Sequence, residues 1–246
     1  MSVLSKAFQN SILTLTLNRP EVHNALNAEL IAALHAAFTD VASDVTAIVL
    51  QGQGKSFCAG ADLSWMKQAA EFSHAENVAD AQALSDMFYA VYACPVPVVA
   101  NIHGAAYGGG VGLAACADIA VATNDAKFML SEVRLGLTPA TISPFVLRAM
   151  GARAAARYFV TAEGFDAQTA QRYSLVHSID EDAQAIAAAI TQNGPQAVKA
   201  AKSLVQDYAG RPIDDALRSD SAQRIADRRV SEEGQARITA FLERRK

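Results

Sequence analysis

The 246-residue chain is 51% hydrophobic and 19% charged, which supplies a substantial core and excludes a disordered polypeptide. A formal net charge of -4 argues against general nucleic-acid binding, which needs a basic footprint to release counterions. No apolar run approaches the roughly 18 residues of a membrane span, and "MSVLSKAFQN" lacks the apolar core of a signal peptide, so a cytoplasmic protein without a membrane partner is expected.

In chain order, "SILTLTL", "TAIVLQG", "VPVVANI" and "DIAVAT" are short β-branched or apolar runs that alternate with helical stretches up to about residue 180. That alternation predicts an α/β fold. Between the first two runs, "NAELIAALHAAFTDVA" has the apolar spacing of an amphipathic helix, with Asn27 as N-cap and Glu29 in its first turn. From about residue 181 the pattern changes, and "DAQAIAAAI", "PQAVKAAKSLVQDYA", "DDALRSDSAQRIADRRV" and "QARITAFLERR" all read as helices. Asn193-Gly194-Pro195 and Gly210-Arg211-Pro212 supply breaks between them. The division expected is a core over 1–190 and a helical region over 191–246. The tail is locally basic: residues 217–246 hold eight Lys or Arg against five Asp or Glu. Cys58, Cys94 and Cys116 form no C-x-x-C pair, so neither a disulfide framework nor a metal site is expected.

Two segments carry the chemical argument. In "QGQGKSFCAGADLSWM" a strand ends in a glycine-bearing loop, and a helix is predicted to begin near Asp62. The "GKS" within it is not a nucleotide phosphate loop, because that motif needs a glycine at position 49, where Val stands. In "HGAAYGGG" a glycine turn delivers the chain from a strand into a helix, which puts the Gly109 amide at the helix's positive end. Amides from two loops, around Ala61 and at Gly109, could form an oxyanion hole. Tight packing explains each glycine equally well.

The segments "LNRPEVHNALNAEL", "SFCAGADLSWM", "PVPVVANIHGAAYGGGVGLAACADIAVA", "AKFMLSEVRLGLTP" and "ARITAFLERRK" resemble, in order and spacing, the crotonase superfamily of enoyl-CoA hydratases and isomerases. The resemblance covers essentially the whole chain. It implies a spiral of ββα units followed by helices that trimerise, often as a dimer of trimers, and an acyl-CoA thioester as substrate with no further cofactor. It implies that the Ala61 and Gly109 amides hold the thioester oxygen. Around Ala59, Asp62 and Leu63 it implies adenine binding, and it puts Val22, Ala25 and Leu26 along the CoA path. Tyr107, Gly108, Gly110 and Ala140 join them as substrate-binding candidates.

Hydratases of this superfamily commonly use two glutamates, and here the sequence departs. The second falls on Glu132 in "LSEVRLG"; the first falls on Gly112. One carboxylate is compatible with an isomerase, with a hydratase that has other help, or with a weakly active protein that binds CoA thioesters. The stretch "SEVRLGLTPATISPFVLRAMGARAAARYFVTAEGFDA" resembles bacterial methylglutaconyl-CoA hydratases of leucine breakdown. The expectation is therefore reversible hydration of a branched or carboxylated enoyl-CoA, with Gly112 opening space beside the β-carbon. Arg134, Arg148, Thr141 and Ser143 are the candidate partners of a substrate carboxylate. Trp65 and Met66 are candidate walls of the acyl pocket, and Phe241 with the terminal "RRK" could reach a neighbouring subunit. His23, His103, Cys58 and Cys116 read as packed or structural side chains.

Overall fold

The computed structural model describes residues 2–244. Its main sheet contains β1 (Leu4–Gln9), β2 (Ile12–Leu17), β3 (Ala47–Gly52), β4 (Val98–Ile102), β6 (Ile119–Ala122) and β9 (Ser178–Ile179), hydrogen-bonded in that order. β1 and β2 form an antiparallel hairpin through Asn10 and Ser11, both at positive φ, and the remaining neighbours run parallel. A second sheet has the order β5 (Ala105–Tyr107), β7 (Lys127–Met129), β8 (Phe165–Asp166). Strands β3 and β4 are buried along nearly their whole length, as parallel strands covered on both faces must be.

One face of the main sheet packs on α1 (Ala28–Thr39), α3 (His74–Tyr92), α4 (Gly109–Cys116) and α5 (Ser143–Thr161). Asn27 caps α1, its side chain accepting the Leu30 amide at 3.0 Å, and Leu30, Ile31, Leu34 and Phe38 turn into the core. α4 is apolar around its whole circumference, and Val111, Leu113, Ala114 and Cys116 are all buried. α5 bends at Gly151, whose φ of 75° and ψ of 156° leave the helical region.

The other face is covered by α7 (Ala183–Thr191), whose Ala183 and Ala187 sit on Ile12, Val49, Val99 and Val121. The first of the four C-terminal helical stretches is thus a layer of the core. α8 (Pro195–Tyr208), α9 (Asp215–Val230) and α10 (Glu232–Glu243) follow it. Lys202 of α8 ties back to the core, where its buried Nζ bonds the Val96 carbonyl at 3.1 Å and the Asp118 carboxylate at 2.7 Å. No described helix is long and apolar enough to cross a membrane.

Candidate active site

A cleft of about 280 Å³ opens where the loop after β3, the start of α4 and the loop after β7 converge. Its walls include Leu26, Ala59, Gly60, Ala61, Leu63, Trp65, Met66, Leu84, Phe88, Gly108, Gly109, Ser131, Glu132, Leu135, Leu137, Thr138, Pro139, Thr141 and Ile142. Distant segments meet there because short backbone bridges tie them together. Leu26 donates to the Gly60 carbonyl at 2.7 Å and accepts from the Asp62 amide at 2.8 Å, a parallel bridge that straddles Ala61. In such a bridge the straddled residue points its own N–H away from the partner strand. Ala61 is therefore held with its amide directed elsewhere, and among the described residues that amide has no protein acceptor.

Asp62 fixes the same loop from its side chain. It caps α2 (Leu63–Ala69), accepting from the Ser64 amide at 2.8 Å and the Trp65 amide at 3.3 Å, while its other oxygen meets Arg19 Nη2 at 2.7 Å. The Arg19 hydrogen bond holds the Asp62 carboxyl below the usual aspartate range, outweighing the cost of burial. Asn24, fully buried with φ of 56°, donates to the Gln53 and Ser56 carbonyls and accepts from the Arg19 amide. Nothing in the sequence singled out Arg19 or Asn24, because Asp62 and Gln53, the partners through which they fix this loop, lie 43 and 29 positions away.

Gly109 is the first residue of α4, so its N–H is one of the donors that a helix start leaves unpaired. Among the described residues it too has no protein acceptor. Gly108 supports it with φ of 48° and ψ of -111°, a conformation that side chains rarely adopt. A Cβ at Gly108 would also lie 3.1 Å from Glu132 Oε1.

Glu132 begins a 3-10 turn, Glu132–Leu135, that follows β7. Its Oε2 is buried and has no hydrogen-bond partner among the described residues, and burial pushes its carboxyl above the ordinary glutamate range. An unpartnered carboxylate oxygen beside a cleft is costly, and it is the arrangement that a proton-transfer group needs. Ser131, Thr138 and Thr141 are the hydroxyl side chains on the cleft wall, and the described lining has no Lys or Arg.

The sequence candidates divide accordingly. Leu26, Ala59, Ala61, Leu63, Trp65, Met66, Gly108, Gly109, Glu132 and Thr141 line the cleft. Ala25 is buried behind it and Val22 is surface-exposed. Tyr107 faces a different cavity, with Lys127, Arg157 and Tyr158, because it alternates with buried Ala106 along β5. Gly110 is packed onto the Cys58 carbonyl and lines no wall, and Ala140 is exposed. Arg134 turns away to the Ala162 carbonyl at 2.7 Å, Arg148 lies over the Tyr92 ring and reaches the Val205 carbonyl, and Ser143 bonds the Ala140 carbonyl. His23 meets Ser56 and His103 meets the Gly54 carbonyl. The Cys58 thiol is pushed up to about 12 by burial. Arg245 and Lys246 of the terminal "RRK" lie outside the described residues.

One expectation needs correcting. Gly112 does not open space beside the cleft: a Cβ there would overlap Ile142 Cγ2 and come within 2.8 Å of Phe88 Cε1. The gap left by the missing side chain is filled with carbon from α3 and from the turn before α5. Phe88 was not legible as a site residue, since it reads as one more apolar position on a core helix.

Geometry and ancestry agree. A largely parallel sheet layered with helices, with one cleft lined by Ala61, Gly109 and Glu132, is the arrangement of the crotonase class of acyl-thioester enzymes. Residues 7–246 match the family model described as enoyl-CoA hydratase/isomerase, and the chain belongs to that family as an enzyme of the crotonase superfamily. The crystal structure of an enoyl-CoA hydratase from Shewanella pealeana superposes with a TM-score of 0.94 at 39% identity, over 98% of this chain and 94% of that one. The short-chain-enoyl-CoA hydratase of Clostridium acetobutylicum is 33% identical, over 97% of this chain and 94% of that protein. The 2,3-dehydroadipyl-CoA hydratase of Escherichia coli is 31% identical, over 100% of this chain and 97% of that protein.

Proposed function

We propose that the protein adds water reversibly across the 2,3 double bond of an enoyl-CoA thioester, with Glu132 as its one acid–base group. The observation that carries this reading is the unpartnered, buried Glu132 oxygen in a cleft that also presents two free amides. The thioester oxygen accepts from the Ala61 and Gly109 N–H groups. Glu132 takes a proton from water as the water oxygen bonds C3, and the π electrons move onto the thioester oxygen as an enolate. C2 then takes the proton from Glu132, so one water is added in sum. The α4 dipole favours the enolate at Gly109. The raised proton affinity of Glu132 serves both halves, making it a stronger base toward water and leaving it neutral long enough to protonate C2.

The substrate in this reading is branched or carboxylated, methylglutaconyl-CoA being the example. Support for the branch comes from the apolar wall of Ile142, Phe88, Leu84 and Leu137. Support for the carboxylate comes from the name of the Escherichia coli relative, a hydratase of an unsaturated dicarboxylic thioester. With Arg134 and Arg148 turned away, Ser131, Thr138 and Thr141 are the hydroxyls left to meet it. CoA leaves the cleft past Ala59 and Leu63, and no other cofactor takes part. Residues 1–190 hold the site, and 191–246 join copies into a homotrimer or a dimer of trimers, through apolar side chains such as Val205, Ile213 and Val230, which are 65%, 85% and 77% exposed in the single chain.

Isomerisation of a 3-enoyl to a 2-enoyl thioester is a second reading, favoured by the same single carboxylate, since one group can carry a proton from C2 to C4. Absorbance of the conjugated thioester separates the two. Rapid loss with methylglutaconyl-CoA, abolished in Glu132→Gln, is the expected result. A rise with a 3-enoyl-CoA and no loss with 2-enoyl substrates would make the protein an isomerase. Silence on all of them would leave a protein that binds CoA thioesters without turning them over.

A further inference from the structure

Gly109 and Gly112 lie three residues apart on one face of α4, about 4.5 Å along its axis. With the thioester oxygen at the Gly109 amide, as in the hydratase reading on which this inference rests, C2 and C3 continue along the wall formed where α4 meets Phe88 and Ile142. Both of those side chains line the cleft and Gly112 does not. Their carbons occupy the direction in which a side chain at 112 would project.

The wall is preorganised. Ile142 is the N-cap residue of α5, and its carbonyl accepts the Phe145 and Val146 amides at 3.1 and 3.0 Å, so the first turn of the helix holds its backbone. Phe88 leans on Phe145 with ring centroids 6.4 Å apart, and Phe145 in turn on Tyr92 at 5.7 Å. Ile142 is 2% exposed and Phe88 is fully buried, so neither has room to swing out of the way.

We infer that Ile142, backed by Phe88, is the side chain that reads the substituent on C3 of the enoyl group, filling the position of a side chain at 112 and offering an alkyl branch an alkyl surface. A methyl on C3 gains contact with this surface, and a hydrogen there leaves the contact unmade. In a close-packed apolar site one methyl group is worth roughly 10- to 200-fold in selectivity. The carbon wall also keeps water from approaching along α4, so the attacking water enters on the Glu132 side.

The test uses saturated thioesters, which bind without turning over. Affinities of isovaleryl-CoA and butyryl-CoA are measured by calorimetry for the wild-type protein, Ile142→Val and Ile142→Ala, with thermal melts to establish that each is folded. Val keeps the methyl that faces Gly112 and is the variant least disturbing to the fold. The wild-type protein should favour isovaleryl-CoA, with that preference falling about 3-fold in Ile142→Val and about 10-fold in Ile142→Ala. A wild-type preference for butyryl-CoA, a ratio unchanged within twofold in both variants, or a ratio that rises as Ile142 is trimmed would each overturn the inference. Hydration of 3-methylcrotonyl-CoA and crotonyl-CoA is followed in parallel. Binding preferences as expected with no hydration by the wild-type protein would remove the hydratase reading and leave the role of Ile142 intact.

Discussion

The cleft and the C-terminal helices are held together by opposite means. Around the cleft, packing is so close that a single Cβ has no room at Gly110, against the Cys58 carbonyl, or at Gly112, against the Ile142 and Phe88 side chains, and Asn24 and Asp62, which fix the loop, are buried. In α9 and α10 almost every side chain is at least partly exposed, Leu217 being the buried exception among the described ones. What holds that layer is capping: Glu233 of α10 accepts the Gln196 and Ala197 amides at the start of α8, and Arg237 donates to the Gln192 and Asn193 carbonyls at the end of α7. Each charge sits at the helix end whose dipole it complements. Chemistry is thus positioned by rigid packing, and the outer layer by replaceable surface electrostatics.

Substitutions that strike both regions can break that contrast. The largest effect is expected for Glu132→Gln, which should lower kcat by about 10³-fold while the protein stays folded. Its stability should rise. A buried carboxyl with a raised folded pKa contributes stability that is present below the unfolded value of about 4.3 and is lost as pH rises through the folded value, so at neutral pH the ionised group opposes folding. A higher melting temperature at pH 7 that converges with wild type near pH 4 would show this, and equal melting temperatures at both pH values would contradict it. Activity should have the inverse profile, with kcat/KM falling as pH drops through the raised Glu132 pKa.

Gly108→Ala should come next, costing about 10²-fold in kcat/KM, because it strains the turn that aims the Gly109 amide and crowds Glu132. Asp62→Ala leaves Arg19 without its partner and α2 without its cap, and should cost about 2–4 kcal/mol of stability, measured by urea unfolding. That loss should already be under way in the wild-type protein as pH falls below about 4, because a depressed carboxyl stabilises the fold only while ionised. The smallest effect is expected for Glu233→Gln, about 1 kcal/mol in stability with kcat unchanged. A large fall in kcat from that substitution would show that the outer layer also positions the chemistry.

Much of this architecture was legible residue by residue. β-branched runs at 12–17, 47–52, 98–102 and 119–122 became strands, Asn27 became a cap, the helix expected near Asp62 begins at Leu63, and the glycine turn at 108–110 became the start of a buried helix. These depend on local propensity, on capping and on period, which are properties of neighbours in the chain. Glu132 was legible by resemblance alone; no local pattern separates it from a solvated glutamate. The tertiary structure alone decided which side chains share the cleft. Phe88 and Ile142 are 54 positions apart in sequence, yet together they fill the space at Gly112, and Arg134, Arg148 and Tyr107 point elsewhere for reasons set by α5, α8 and the second sheet. A sequence records that a side chain is missing at 112; only close packing among distant segments determines whether the gap becomes a pocket or is filled.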